Sequence, residues 1–351
     1  MESSSRRSRT QLWLGLLLSL ASLIALFWLI DPAQIWRTLL QARLGYVLLS
    51  LAGMLTYLWL RAVRWRYMLH QGASLQQVFH TQNIGYMLTQ ILPFRLGDLA
   101  RAVLIGNLPG LRVVQGLSTM VVERVLDMLL IVVVLPFTLA GLTHLPDWMR
   151  EYALISGVAA VGAMAGLVLA ANFRPKTRQI LTRLLTPLAT HHRDRWVERF
   201  DQLLAALTVL TDWRTALILA ALSLLTWLPT FFSYQAMLRA VGLPANFVMA
   251  VFATCAGALS IAAPSSPSGA GVFHAGITVA LVEVLGLAQA PSAAFAFLYH
   301  GVDVLLLLLL GQWGLIRTDV TFSQVVSRTR NFLKTQDAAA EPGESLEVGA
   351  K

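Results

Sequence analysis

Two stretches of this sequence set ionisable side chains inside apolar surroundings, and they are where chemistry can be sought. The first is Leu92-Pro93-Phe94-Arg95-Leu96-Gly97-Asp98, with Arg101 a turn further on. A half-helix beginning near Gly97 would offer free backbone N–H groups and the positive end of its dipole, an anion site in waiting. Arg95 would add bidentate phosphate binding, and Arg101 a second cation. The plainer reading is that Asp98 caps the half-helix and pairs with Arg95 or Arg101; the two readings are compatible. The second stretch is Glu123-Arg124-Val125-Leu126-Asp127. Glu123 and Asp127 are four residues apart on one helical face, where like charges repel unless a cation or proton intervenes. In a helix starting near Gln115, Glu123 lies about 12 Å along the axis, at depth in lipid. Its partner is then a clamp from Arg61, Arg64, Arg95 or Arg101, or a proton or headgroup in a cavity.

A further break, Pro264-Ser-Ser-Pro267-Ser-Gly269-Ala-Gly271, is small and hydroxylated and carries no charge before His274. Backbone groups freed there need a water-filled cavity or a ligand, so Pro264, Pro267, Gly269, Gly271 and His274 join the candidate substrate-binding set. His274 reads equally as a packed core histidine. Glu283, nine residues on, need not touch it, whereas His300 and Asp303 are three apart on a helix and near enough to interact. His191-His192 reads as a solvated pair and not a metal site. No phosphate-binding glycine loop, zinc-protease pair or nucleophile elbow occurs, so neither a catalytic residue nor a cofactor is expected.

These side chains have to be positioned by membrane helices. Of 351 residues 56% are hydrophobic and only 13% charged, about half the charge of a soluble domain. Uncharged runs at Gln11–Ile30, Leu44–Leu60, Tyr152–Phe173 and Thr215–Leu238 approach or exceed the roughly 20 residues that span a bilayer core. The first is too long for a secretory signal and reads as a retained helix. Continuous crossings are expected at 11–30, 44–62, 115–142, 150–172, 215–239 and 293–316. The segments 75–108 and 246–288 are instead broken in the middle by Pro and Gly, with short flanks that suit re-entrant helix pairs. Two such segments of opposite expected direction point to inverted repeats around a midplane site. Gly162-x-x-x-Gly166 is a weak helix-packing notch. The expected fold is therefore all-α, a polytopic transmembrane bundle with two broken or re-entrant pairs and room for an inverted repeat. Residues 1–335 form one membrane domain, with interfacial helices over 175–212 and a disordered tail at 336–351.

With the N-terminus inside, 23 of the 27 basic residues fall on inner segments, leaving Arg37, Arg43, Arg150 and Arg239 outside. That bias predicts cytoplasmic termini, and it makes anionic lipid, not nucleic acid, the partner of the net charge of +9. The single Cys255 excludes an internal disulfide and argues against a cysteine metal site.

Taken together, Asn83-Ile84-Gly85, Leu92 to Asp98 with Arg101, Glu123-Arg124-x-x-Asp127 and the Pro-x-x-Pro-x-Gly-x-Gly break resemble the transmembrane, flippase-like region of lysylphosphatidylglycerol synthases over about residues 10–320. Family members usually read Pro-Gly-Gly-x-Gly-x-x-Glu at the second break; here Ser268 and His274 replace the first glycine and the glutamate. The resemblance implies movement of an anionic or aminoacylated phospholipid, or a lipid-linked precursor, between leaflets of a bacterial inner membrane. No stretch reads as a soluble synthase domain, so synthase activity is not carried over and an enzyme is not expected. The alternative is a non-transporting subunit that docks or stabilises an envelope-lipid or glycan-lipid enzyme. A membrane glycosyltransferase is disfavoured because Asp31–Arg43 lacks an Asp-x-Asp pair. Reporter fusions at the C-terminus and within 175–212 should read cytoplasmic; a periplasmic signal at either place overturns this topology.

Overall fold

The computed structural model describes residues 2–92, 96–142, 145–184, 211–262 and 267–340, with Val197, Glu198, Asp201 and Leu204 between. The described chain is helical throughout, without strands. Helices occupy Glu2–Leu29 (α1), Pro32–Leu40 (α2), Leu44–Met68 (α3), Leu75–Ile91 (α4), Leu96–Gly106 (α5), Val113–Ala140 (α6), Asp147–Asn172 (α7) and Arg174–Leu184 (α8). They continue as Trp213–Ala240 (α9), Phe247–Ala262 (α10), Val272–Val279 (α11), Gln289–Thr318 (α12) and Phe322–Ala340 (α13).

Long helices stand at all six places where the sequence predicts a crossing. Four of them, α3, α7, α9 and α12, are long and apolar enough to span a bilayer, and the bent pair α1–α2 makes a fifth. Helix α6 has 28 residues, ample for a span, but carries Glu123, Arg124 and Asp127 at its centre. The chain turns 86° between α1 and α2, where Asp31 accepts the Ala33 N–H at 2.9 Å and Pro32 opens the new helix. The expected outer loop at 31–43 is thus mostly helix. Helix α8 covers 175–184 of the expected interfacial stretch; His191 and His192 lie outside the described residues. Helix α13 runs to Ala340, so the tail expected to be disordered from 336 begins as helix.

Both expected broken segments are broken. Helices α4 and α5 fold back on each other, with Gly97 against the Gly85 carbonyl and the Arg101 side chain against Gly85. Contacts at 85 with 101 and at 89 with 97 are those of an antiparallel hairpin, so the chain returns towards the side it came from. The second break leaves α10, passes a 3₁₀ turn at Pro267–Gly269 and restarts as α11, which ends in a π turn at Ala280–Val284. Ser268, Gly269 and Gly271 all have positive φ (63°, 74° and 86°). This conformation suits glycine and taxes the serine.

The order long helix, broken pair, long helix occurs twice: α3, α4–α5, α6, and again α9, α10–α11, α12. The contacts repeat as well. Helix α3 packs on α9; α4 packs on α12 and α10 on α6, so each broken pair is braced by the last helix of the other half. Within each half the first helix, the pair and the last helix meet in the same combinations. This is the contact pattern of a two-fold axis, and a membrane pass by α7 between the halves would make it an inverted one. The 3₁₀ turn of the second break lies against α4.

Close approach depends on small residues. A Cβ on Gly311 would strike Met87 and the Asn83 carbonyl, where α12 seats on α4. A Cβ on Gly97 would strike backbone of α4, whereas Gly166 has nothing within 4 Å. Gly97→Ala should therefore lower stability by about 1–3 kcal/mol, and Gly166→Ala should leave it unchanged. Thermal unfolding in detergent compares them, and equal melting temperatures would refute the hairpin packing.

Candidate functional site

The first half gathers its ionisable residues into one buried cluster. Glu123 of α6 is held by three guanidinium groups. Arg101 Nη2 donates at 2.8 Å, Arg61 donates from Nε, and Arg64 Nη2 lies 3.6 Å away. Asp127, one turn on, accepts from Arg61 Nη2 at 3.1 Å, Arg64 Nη1 at 2.9 Å and Trp227 Nε1 at 3.2 Å. Arg61 thus bridges both carboxylates and removes the repulsion that their spacing imposes. Arg61, Arg64 and Trp65 lie one turn apart on α3, so a single helical face delivers all three.

Neutral groups fix the guanidinium planes. Arg61 donates to Tyr57 Oη, one turn back on α3, and Arg64 Nη1 donates to Ser223 Oγ on α9 at 3.2 Å. Arg101 donates to Tyr86 Oη at 3.0 Å and stacks over the Trp65 ring at 4.2 Å. Trp65 in turn donates to Thr119 Oγ1 at 2.9 Å. Side chains of α3, α4, α5, α6 and α9 all meet here.

A second ion pair forms the outer end of the cluster. Arg124 Nη2 donates to Asp98 Oδ2 at 2.9 Å, and their side chains are 43% and 18% exposed, against 1% for Arg101 and 2% for Glu123. Exposure therefore falls steadily from Arg124 inwards. Within the deep group three arginines face two carboxylates, one cation in excess. Arg64 Nε and Nη2 and Arg101 Nε are buried without a hydrogen-bond acceptor among the described residues.

Of the residues proposed from sequence, Asp98, Arg101, Glu123, Arg124 and Asp127 come together here. Asp98 pairs with Arg124, a partner the sequence reading did not weigh. Arg95 and Pro264 lie outside the described residues. Tyr57, Trp65, Tyr86, Ser223 and Trp227 were not singled out. Tyr57 had a detectable signal, one turn from Arg61, whereas Tyr86 and Trp227 are brought in by tertiary packing alone.

Pro267, Gly269, Gly271 and His274 belong to the other half. His274 Nδ1 accepts the Gly271 N–H at 3.1 Å, closing the first turn of α11. Its ring stacks on Phe297 at 4.3 Å and on His300 at 4.8 Å, both from α12. Gly271 sits against the Ser19 carbonyl of α1, leaving no room for a side chain. Exposed Glu283 and His274 form no described contact.

Paired broken helices, a two-fold arrangement of long helices and a buried charge cluster at their crossing define a class of polytopic α-helical membrane protein built around intramembrane polar sites. The sequence profile of the lysylphosphatidylglycerol synthase TM region matches residues 12–311, and the chain belongs to that family. No curated protein and no solved structure matches it.

Removing one partner from a buried ion pair leaves an uncompensated charge, at about 3–5 kcal/mol. Glu123→Gln, which removes the negative charge that Arg61 and Arg101 share and turns one of their two acceptor oxygens into an N–H donor, should lower the melting temperature strongly. Asp98→Asn, in the half-exposed pair, should cost about 1 kcal/mol or less. Equal effects would mean that the deep cluster does not hold the fold.

Proposed function

We propose that this protein is a lipid translocase of the bacterial inner membrane, with cytoplasmic termini. It moves a phospholipid or lipid-linked precursor with an anionic or aminoacylated headgroup between leaflets. The headgroup enters between the two broken segments while its acyl chains stay in the bilayer. Arg95 and Arg101 hold the phosphate, Asp98, Glu123 and Asp127 balance charge or meet a cationic headgroup, and the second break supplies backbone contacts.

The observation that carries this reading is the charge imbalance of the deep cluster. An excess guanidinium charge with unaccepted N–H groups in a lipid environment is expensive. One phosphate would satisfy both deficits, and arginine forks suit its geometry. The exposure gradient from Arg124 and Asp98 to Arg101 supplies the approach: an incoming phosphate exchanges with Asp98 for Arg124, then with Glu123 for Arg101. With no nucleotide motif in the sequence, movement is downhill or driven by an ion gradient.

The test uses proteoliposomes in which fluorescent phosphatidylglycerol in the outer leaflet is quenched by dithionite. Wild type should expose inner-leaflet label to the quencher, and Arg124→Ala should slow this about tenfold or more at little cost in thermal stability. Label that never changes leaflet in wild type overturns the proposal. Co-purification of an envelope-lipid enzyme would then favour the membrane-subunit reading.

A further inference from the structure

Counted from their helix starts, the two halves differ in how a matching carboxylate is answered. Asp127 and Asp303 are each the fifteenth residue of the last long helix of their half, α6 from Val113 and α12 from Gln289. Arg61 and Arg64 of α3 clamp Asp127. With α3 counted from Leu44 and α9 from Trp213, their places are taken by Thr230 and Ser233. The second half thus has the carboxylate without its cations. Among the described residues, Asp303 has no ion-pair or hydrogen-bond partner, and the Thr230 hydroxyl is likewise buried without one.

A run of phenols joins Asp303 to the first half. Its carboxylate lies within electrostatic reach of Tyr299 on α12 and Tyr234 on α9, whose rings are 4.2 Å apart. Both are within reach of Tyr57 on α3, whose hydroxyl accepts from Arg61. The Tyr234 hydroxyl fits against Gly257 of α10, where a Cβ would strike it, so the second broken pair borders the run. Arg61 is flanked by the Tyr57 and Tyr86 rings, each centred 5.5 Å from its guanidinium carbon. A polar track therefore crosses the middle of the bundle, with surplus guanidinium charge at one end and a carboxylate at the other.

We propose that Asp303, with Tyr234 and Tyr299, binds the amine of a lipid headgroup whose phosphate is held by the arginines, so that the preferred lipid carries both groups. This amine site rests on the translocase reading for what its ligand is; the preference itself is measurable without any transport.

The charges make the case. Arg61, Arg64 and Arg101 face Glu123 and Asp127, which leaves one cation over, and Asp303 is one carboxylate over. The interior is neutral as a whole, yet the last cation and the last carboxylate stand apart on opposite halves. Surplus guanidinium with unaccepted N–H groups calls for an anion, and an ionised carboxylate in lipid calls for a cation. A headgroup with a phosphate alone answers the first demand and leaves the second. One with a phosphate and an ammonium answers both, through charge-assisted hydrogen bonds at each end. An ammonium has three N–H donors, which the Asp303 carboxylate and the phenol oxygens can accept, and the tyrosine rings add cation–π attraction. Glu123, Asp127 and Asp303 all lie near the middle of their helices, so this headgroup is held at mid-membrane with one end on each half.

Two measurements on the full chain test the amine site and keep it separate from the translocase reading. In the first, protein in detergent is given equal amounts of phosphatidylglycerol and an amine-bearing lipid, either phosphatidylethanolamine or the lysine ester of phosphatidylglycerol, and native mass spectrometry counts the lipid retained. Wild type should retain at least one of the amine-bearing lipids over phosphatidylglycerol by about tenfold, and the two arms tell how far from the phosphate the amine must stand. Asp303→Asn should bring that ratio to about one, and Asp303→Glu should keep it. No preference in wild type refutes the amine site without recourse to a variant, as does a preference that survives Asp303→Asn. In the second, unlabelled lipids compete with labelled phosphatidylglycerol for passage in proteoliposomes. The retained amine-bearing lipid should suppress passage at about a tenth of the concentration that phosphatidylglycerol requires, and at the same concentration in Asp303→Asn. If label crosses and the two lipids compete equally in wild type, the translocase reading stands and the amine site is refuted. If binding shows the Asp303-dependent preference and no lipid changes leaflet, the translocase reading fails and the amine site stands.

Discussion

Everything in the first half of this protein is arranged around the ionised Glu123 carboxylate inside an apolar bundle. A charge at that depth has to be answered, and the answer recruits four other helices: arginines from α3 and α5, a tyrosine from α4, and a serine and an indole from α9 behind Asp127. Helix α6 has the length to span the membrane, but its central charges can be tolerated only while the others surround it. The cluster therefore fixes the register of α6 against α3, and the depth to which the α4–α5 hairpin enters. Helix-to-helix packing by small residues, at Gly85 with Gly97 and at Gly311 with Asn83, does the rest.

The two halves share a backbone plan and differ in chemistry. The first is built from permanent charges, since guanidinium groups do not give up their protons. The second packs His274 on Phe297 and His300 instead, so the matching place in that half is filled by stacked rings and not by ion pairs.

Much of this was legible in the sequence because hydrocarbon imposes strict rules. Spans appear as long uncharged runs, and Pro93-Phe94-Arg95 and Pro264 to Gly271 announce their breaks by residue type alone. The spacing of Glu123 and Asp127 demanded cations, and Arg61, Arg64 and Arg101 were among those available. What stayed hidden was pairing across the fold. Asp98 has arginines close in sequence on both sides, yet among the described residues its bond is to Arg124, because α5 packs on α6 with that face inward. Trp227 lies a hundred positions from Asp127 and looks like any other aromatic in an apolar run. The helix at Pro32–Leu40, nine residues long, is too short to show as a span, although Asp31 followed by proline is a helix-starting signal.

Of the four single helices able to span a bilayer, α7 is the one with the least of its apolar stretch buried. It leans on α6 and α8, and only 11% of its most apolar stretch is buried within the protein. By contact area it looks dispensable, yet parity makes it indispensable. Without an extra pass between the halves, α9 would insert in the same sense as α3, and the two units would be related by an axis along the membrane normal instead of one in its plane. A helix with little of its apolar surface buried in the protein thus sets how the two halves face one another. It follows that the two halves, made as separate chains, would need no such spacer: each would only have to insert with the opposite sense to its mate.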